Sequence, residues 1–195
     1  MTFNETKITG VWVVEPKVFG DERGYFMETL NNRAFAEAIG KVDFVQENES
    51  CSVRGVLRGL HYQMEPFAQS KLVRVVCGAV LDVAVDIRRG SPTYGKYVAE
   101  LLSGENKRQF FIPKGFAHGF YVLSEKAIFT YKVDNFYSPA HERGIRFDDP
   151  EIGIDWTMTD SAPVEDGRNA IFITSPKDRI APLLRDADNN FTYNK

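Results

Sequence analysis

The chain has 195 residues, a length that fits one domain burying about 70% of its unfolded surface. Its 24 Lys and Arg residues stand against 27 Asp and Glu residues, giving a formal net charge of −3 at pH 7. This balance argues against a broadly basic nucleic-acid-binding protein. The 15 Phe residues favour strands, whereas histidine occurs only as His61, His118 and His141. We therefore expect a mainly β protein that binds no nucleic acid.

The sequence shows neither a signal peptide nor a membrane span. Its first residues lack an apolar core, and no apolar run approaches the roughly 18 residues that a membrane span needs. Cys51 and Cys77 lie in strand-like sequence without C-x-x-C spacing, so we expect both to be reduced and buried. These features predict a cytoplasmic protein without a membrane partner.

Short strands dominate the pattern along the chain. The predicted strands are 11–19 and 24–30 around a turn at 20–24, then 71–77, 79–88, 97–102, 108–112, 116–123 and 127–137. Gly78 between two of them predicts a hairpin. Helices are predicted over 31–39, with Asn31 or Asn32 as cap, and around 175–185. Without repeats or linkers, residues 1–195 are predicted to form a single mainly β domain, best described as a jelly roll.

Two segments, 54–63 and 112–120, each carry a histidine that could belong to an active site. Strict alternation would place Arg58 and His61 on opposite faces of a strand, but Gly59 permits a bulge that re-aims one of them. The alternative is a solvated arginine and a hydrogen-bonded core histidine. His118 shares its strand face with Phe116 and Phe120, so its plainer interpretation is a satisfied interior histidine.

Two further segments offer acids and hydrogen-bonding groups. Phe129, Tyr131, Val133, Asn135 and Tyr137 alternate along one predicted strand face, so two phenols share one wall. Tyr131 suits a general acid, while Tyr137 equally suits core packing. Near the N-terminus, Arg23 at a turn tip suits a phosphate, and Glu28, Gln46 and Asn48 suit a base or ribose; a solvated turn is the alternative.

The segments 54–63 and 112–120 resemble the paired motifs of the cupin superfamily, which bind a metal through three histidines and a glutamate. Here Gln63 stands where the second histidine belongs, and Lys71 lies near the position of the acidic ligand. A lysine ammonium has no lone pair to donate to a metal. We therefore predict a cupin-like pocket that holds no metal and works by acid–base chemistry.

Taken together, the motifs resemble those of the dTDP-4-dehydrorhamnose 3,5-epimerase family. The resemblance rests on segments 18–24, 55–63, 82–88 and 112–120, in the family's order. It implies a cupin-type jelly roll and a cofactor-free isomerase that inverts C3 and C5 of dTDP-4-dehydro-6-deoxy-D-glucose through enolates. The product, dTDP-4-dehydro-L-rhamnose, leads to dTDP-L-rhamnose. The alternative is a related 3- or 5-monoepimerase, or a 3,4-ketoisomerase, of a dTDP-4-keto-6-deoxyhexose.

The resemblance also implies a role for each site residue. His61 is the base, Tyr131 the acid on the opposite face of the sugar, Lys71 the group that stabilises the enolate, and Asp178 the carboxylate that orients His61. Tyr137 stacks near the thymine. The implied substrate-binding residues are Arg23, Glu28, Gln46, Asn48, Arg58, Lys71, His118, Tyr137, Glu142 and Lys177.

Two expectations concern the assembly and one unusual segment. Family members are homodimers whose N-terminal strands, here within residues 1–50, pair across the interface, so Arg23 or Glu28 would serve the partner's site. Residues 157–174 form a longer stretch than the family pattern and are predicted to be a surface insertion. This leaves the register of Lys177 and Asp178 open, with Asp160 and Asp166 as alternatives to Asp178.

Overall fold

Two antiparallel sheets form the body of the protein, whose computed structural model describes residues 1–157 and 172–193. In chain order the strands are β1 (Thr2–Glu5), β2 (Trp12–Glu15), β3 (Val18–Asp21), β4 (Gly24–Met27), β5 (Gln46–Val53), β6 (Leu57–Gln63), β7 (Lys71–Cys77), β8 (Ala79–Asp86), β9 (Tyr97–Ser103), β10 (Gln109–Ile112), β11 (Phe116–Val122), β12 (Lys126–Val133) and β13 (Glu142–Gly144). The helices are α1 (Asn32–Ala38) and α2 (Pro176–Ile180), followed by a 3-10 turn at Leu184–Asp186.

The larger sheet has the strand order β1-β2-β10-β7-β12-β5, and the smaller one β13-β6-β11-β8-β9. Strands β3 and β4 form a separate hairpin. This arrangement confirms the predicted mainly β, cupin-type jelly-roll fold with few short helices. None of the helices in the described ranges has the length and apolar character needed to cross a bilayer.

The main core lies between the two sheets. Phe110 and Phe129 of the six-stranded sheet meet Phe116 and Phe120 of the five-stranded sheet, all of them buried. Strand β8 is buried on both faces because its odd-numbered residues pack into a second cluster with the C-terminal segments. Alternation along the strand therefore turns Asp82 and Ala84 toward the other sheet.

Helix α1 covers part of the outer face of the six-stranded sheet. The Asn31 side chain accepts two backbone N–H bonds of the first turn, each 3.1 Å long, so Asn31 is the cap that the sequence offered. The helix buries Phe35, whose ring packs edge-on against Phe111 at a centroid distance of 5.1 Å. The helix predicted over 31–39 is thus confirmed.

The predicted hairpin at Gly78 is wrong. Strand β7 pairs with β10 and β12, whereas β8 pairs with β11 and β9, so Gly78 joins two different sheets. Its φ is +80°, and a Cβ there would lie 2.0 Å from the carbonyl oxygen of Lys126. Gly78 is therefore a corner at which the chain changes sheets, and only a glycine fits against the neighbouring backbone.

The expectation that both cysteines are buried is also wrong. Cys51 and Cys77 are free and exposed, and each lies opposite Ile128 on a neighbouring strand. Because Phe129, the next residue of that strand, points into the core, Ile128 and both cysteines face outward.

The C-terminal part contains less helix than the sequence predicted. The single helix expected around 175–185 is instead the short helix α2 and the separate 3-10 turn. Most of the predicted surface insertion 157–174, with the alternative carboxylates Asp160 and Asp166, lies outside the described residues.

Candidate active site

A cavity of about 480 Å³ opens between the two sheets and the C-terminal segment 173–178. Its polar wall contains many of the residues proposed from the sequence, namely Arg58, His61, Lys71, His118, Tyr131, Glu142, Lys177 and Asp178. Strands β6 and β11 of one sheet face β7 and β12 of the other across this space. The fold thus gathers side chains that are separated by more than a hundred residues of sequence.

Gly59 explains how Arg58 and His61 come to line the same cavity. Its φ is +120°, and a Cβ there would lie 2.6 Å from Cα of Gly119. The pairing of β6 with β11 shifts register between His118 and Phe120 at this point. The predicted bulge is therefore present, and the glycine is required because the backbones approach so closely.

His61 and Asp178 form a carboxylate–imidazole pair. His61 Nε2 lies 2.6 Å from Asp178 Oδ1, while the Ser175 hydroxyl donates to Asp178 Oδ2 over 2.8 Å. Burial would raise the pKa of the Asp178 carboxyl, but its bonds with His61 and Ser175 outweigh burial and lower that pKa. An ionised Asp178 accepts the Nε2 proton and leaves the Nδ1 lone pair of His61 free to act as a base.

The position of Asp178 is fixed by backbone pairing. The N–H of Ile173 donates to the carbonyl of Gly55 over 2.8 Å, and its carbonyl accepts from the N–H of Leu57 over 3.0 Å. Ser175 then caps helix α2, whose third residue is Asp178. The segment is thus attached to the start of β6, the strand of His61, and the register that the sequence left open places Asp178 at the imidazole.

A second carboxylate–imidazole pair lies deeper in the cavity. His118 Nε2 lies 2.9 Å from Oδ1 and 3.1 Å from Oδ2 of Asp82, whose side chain is fully buried. Burial lowers the pKa of His118, and Asp82 opposes that change. Sequence reasoning did not single out Asp82 as a site residue. Its signal was an inward-facing carboxylate in the middle of a strand whose other residues, apart from Asp86 at its end, are apolar.

Lys71 provides an ammonium group whose pKa is lowered toward neutral pH. Burial lowers its pKa from 10.5 to about 8, even though the negative charges of Asp82 and Glu142 act in the opposite direction. Its side chain keeps partial exposure toward the cavity. A cation in such a low-dielectric setting interacts strongly with any negative charge that develops nearby.

Tyr131 reaches the cavity from the sheet opposite His61. It projects from β12, whereas His61 projects from β6. Burial raises the pKa of the Tyr131 phenol, although Arg58 and a hydrogen bond with Asn48 act to lower it. The phenol therefore stays protonated at neutral pH and can donate a proton into the cavity.

Three side chains are linked at the mouth of the cavity. The Tyr137 hydroxyl donates to Glu142 Oε2 over 2.9 Å, and Lys177 Nζ donates to Glu142 Oε1 over 2.7 Å. Burial would raise the pKa of Glu142, but these two bonds lower it. Strand β12 ends at Val133, so Tyr137 lies in the following loop, which corrects the prediction of one strand over 127–137.

Five predicted binding residues lie outside this cavity wall: Tyr137 at its mouth, and Arg23, Glu28, Gln46 and Asn48. Gln46 and Asn48 sit on the edge strand β5, where the Gln46 amide donates to Asn48 Oδ1 over 2.9 Å. Arg23 is 84% exposed and pairs with Asp21, and Glu28 accepts a 3.0 Å bond from Asn31 Nδ2. Within the described residues, the structure does not bring Arg23 and Glu28 to the cavity of their own chain.

Comparison with known proteins agrees with this architecture. A family model described as dTDP-4-dehydrorhamnose 3,5-epimerase matches residues 5–186. The chain is 62% identical over 159 residues to the dTDP-4-dehydrorhamnose 3,5-epimerase of Shigella flexneri, covering 81% of this chain and 88% of that protein. It is 57% identical over 182 residues to the Pseudomonas aeruginosa enzyme of the same name, covering 93% and 94%.

A solved structure is similarly close. The crystal structure of dTDP-6-deoxy-D-glucose-3,5-epimerase from Legionella pneumophila, in complex with dTDP-4-keto-L-rhamnose, matches with a TM-score of 0.87 and 49% identity. The match covers 96% of this chain and 94% of that one. The chain therefore belongs to the dTDP-4-dehydrorhamnose 3,5-epimerase family.

Proposed function

We propose that the protein is an isomerase that inverts C3 and C5 of dTDP-4-dehydro-6-deoxy-D-glucose and forms dTDP-4-dehydro-L-rhamnose, the precursor of dTDP-L-rhamnose. The observation that carries this proposal is the pairing of His61 on the five-stranded sheet with Asp178 of α2, opposite the protonated phenol of Tyr131 on the six-stranded sheet. Family membership supports the same reaction.

The site contains the groups that such a reaction needs. A C4 ketone acidifies the hydrogens on C3 and C5, so His61 Nδ1 removes a proton from one of these carbons and an enolate forms. The Lys71 ammonium stabilises the negative charge on the enolate oxygen, and His118, held by Asp82, lines the cavity beside the substrate. Tyr131 then donates its proton to the carbon from the opposite face, which inverts the centre, and solvent restores both groups.

The remaining polar groups suit the nucleotide end of the substrate. Arg58 offers a planar fork for the diphosphate, since its guanidinium lines the cavity and is held by the Ser52 hydroxyl at 3.1 Å and 3.2 Å. Lys177 and Glu142 lie at the mouth together with Tyr137, whose ring is 52% exposed and available for stacking on thymine. Gln46 and Asn48 on the adjoining edge strand offer amide groups to the base and sugar.

The separate hairpin suggests how the protein assembles. Phe19, Tyr25 and Phe26 on β3 and β4 are 53%, 56% and 70% exposed, and within the described residues these strands pair only with each other. Large apolar side chains on an open strand pair are typical of an interface. We therefore propose a homodimer in which N-terminal strands pair across the interface and bring Arg23 and Glu28 to the partner's cavity.

Two further proposals concern the chain as a whole. We propose that residues 1–195 form a single domain, since the family match spans most of the chain. We also propose a cytoplasmic location, which the two free thiols favour.

Incubation with dTDP-4-dehydro-6-deoxy-D-glucose in deuterated water tests the proposed reaction. We expect deuterium at both C3 and C5 of the product by NMR, no incorporation with the His61→Ala variant, and exchange that exceeds inversion with Tyr131→Phe. Label at one carbon alone would identify a monoepimerase, and movement of the ketone to C3 would identify a ketoisomerase. Either result would replace the proposed reaction.

A further inference from the structure

Gln63 occupies the position at which a cupin of the metal-binding type carries its second histidine, yet it is not part of the cavity wall formed by the described residues. It lies two residues after His61 on the same strand, opposite Glu142 of β13. Its side chain is only 5% exposed. Gln63 is thus a buried amide beside the candidate active site that does not face the cavity.

The Gln63 amide bonds to the backbone of two loops. Its Nε2 donates to the carbonyl of Phe67 over 2.7 Å and to the carbonyl of Phe136 over 3.2 Å. Its Oε1 accepts from the N–H of Ser138 over 2.6 Å. The two bonds to the second loop fall on the residues immediately before and after Tyr137.

The loop that carries Tyr137 is also held on either side of that residue: Gln69 Nε2 donates to the carbonyl of Asn135 over 2.8 Å, and the Ser138 carbonyl accepts from the N–H groups of His141 and Glu142 over 3.0 Å and 3.1 Å. Strand β12 has already ended at Val133, and the Phe136 side chain is 62% exposed, so no buried apolar side chain at that position anchors the loop. The backbone N–H of Tyr137 makes a long 3.4 Å bond to Gln46 Oε1. Within the described residues, Gln63 is the side chain from outside this loop that bonds to the backbone both directly before and directly after Tyr137.

We infer that Gln63 is a positioning residue that presets Tyr137 for the nucleotide base and thereby sets affinity for the dTDP portion of the substrate. This inference rests on the proposed stacking role of Tyr137. An amide provides two donors and an acceptor in one plane, which a methionine or a carboxylate of similar size does not. A loop that is ordered before binding loses less conformational freedom on binding, so affinity depends on Gln63 while the chemical step does not.

The test compares Gln63→Met with a matched control, Asn189→Leu. Asn189 is also a buried amide that bridges two backbone groups, donating to the carbonyl of Ile87 and accepting from the N–H of Phe191 over 2.8 Å, but it serves the C-terminal tail. For Gln63→Met we expect the dissociation constant of dTDP, measured by calorimetry, and the KM of the sugar nucleotide to rise about tenfold. We expect kcat for deuterium exchange to stay within about twofold of wild type. Asn189→Leu is expected to lower the melting temperature without weakening dTDP binding.

Tyr137→Ala and the double variant separate the possible results. If Gln63 acts through Tyr137, the double variant binds dTDP no more weakly than Tyr137→Ala alone. Wild-type affinity in Gln63→Met, with weakened binding in Tyr137→Ala, overturns the role of Gln63 and leaves that of Tyr137 intact. Wild-type affinity in Tyr137→Ala overturns the stacking role and this inference with it. Should Gln63→Met not fold, Gln63→Glu keeps the size and the acceptor while removing the donors, and it is expected to weaken dTDP binding in the same direction.

Discussion

The Lys71 ammonium is the group whose charge state we expect to limit activity on the alkaline side. It is charged below its pKa of about 8 and neutral above it, so stabilisation of the enolate is lost as pH rises through this value. The Tyr131 phenol titrates higher than an ordinary tyrosine and remains protonated over the same range. We therefore predict that kcat/KM for deuterium exchange falls along a basic limb with an apparent pKa near 8. A profile that stays flat to about pH 10, the ordinary range of lysine, would contradict this role.

Asp82 provides the control for that prediction. Its charge raises the pKa of both Lys71 and His118 against the effect of burial. Asp82→Asn keeps the size of the side chain but removes the charge, so the basic limb should move to lower pH, together with a fall in kcat/KM. Lys71→Arg should move the limb in the other direction, since a guanidinium stays charged throughout. An unmoved limb in both variants would assign it to another group.

Among the elements, the short parallel pairing of Ile173 with Val56 holds Asp178 beside His61, the proposed base. Proline at this position removes the N–H that bonds to the carbonyl of Gly55 and so loosens the segment that presents Asp178 to His61. We predict that Ile173→Pro lowers kcat by about 10- to 100-fold, because small displacements of catalytic groups are costly. Ile173→Val keeps the N–H and should behave as wild type. Wild-type exchange rates in the proline variant would show that Asp178 is held by other contacts.

Local sequence signals predicted the elements whose causes are local. Asn31 identified the start of α1, and Gly59 identified the bulge that turns both Arg58 and His61 toward the cavity. The failure at Gly78 has a different origin, since a glycine between two strands looks the same whether the strands pair or separate. What decides between these outcomes is pairing with β10, β11 and β12, which lie later in the chain. Tyr137 was misplaced because the aromatic residues Phe136 and Tyr137 are typical of strands, whereas the strand ends at Val133.

At the scale of the molecule, the site exists because two sheets meet. His61, the proposed base, and the pair of His118 with Asp82 come from the five-stranded sheet, whereas Lys71 and Tyr131 come from the six-stranded sheet. The sequence could name His61, His118, Lys71 and Tyr131 by family resemblance, but it did not identify Asp82 as the partner of His118. That pairing depends on the register in which β8 and β11 lie side by side in the five-stranded sheet, which neither strand reveals by itself.

The exposed hairpin of β3 and β4 leads to a prediction about the proposed homodimer. If Arg23 serves the partner's cavity, a His61→Ala chain still donates an intact Arg23, and an Arg23→Ala chain still offers an intact cavity. Co-expression of these two inactive or impaired variants should then restore about a quarter of the wild-type site activity, since random pairing makes half of the dimers mixed and each mixed dimer holds one complete site. Co-expression of His61→Ala with Tyr131→Phe is the control, because both changes lie in the cavity and a mixed dimer then contains no intact one. The purified mixture should be dimeric by sedimentation. If the mixture is no more active than the Arg23→Ala protein that it contains, then Arg23 contributes nothing to the partner's cavity. That result would contradict the proposed exchange across the interface.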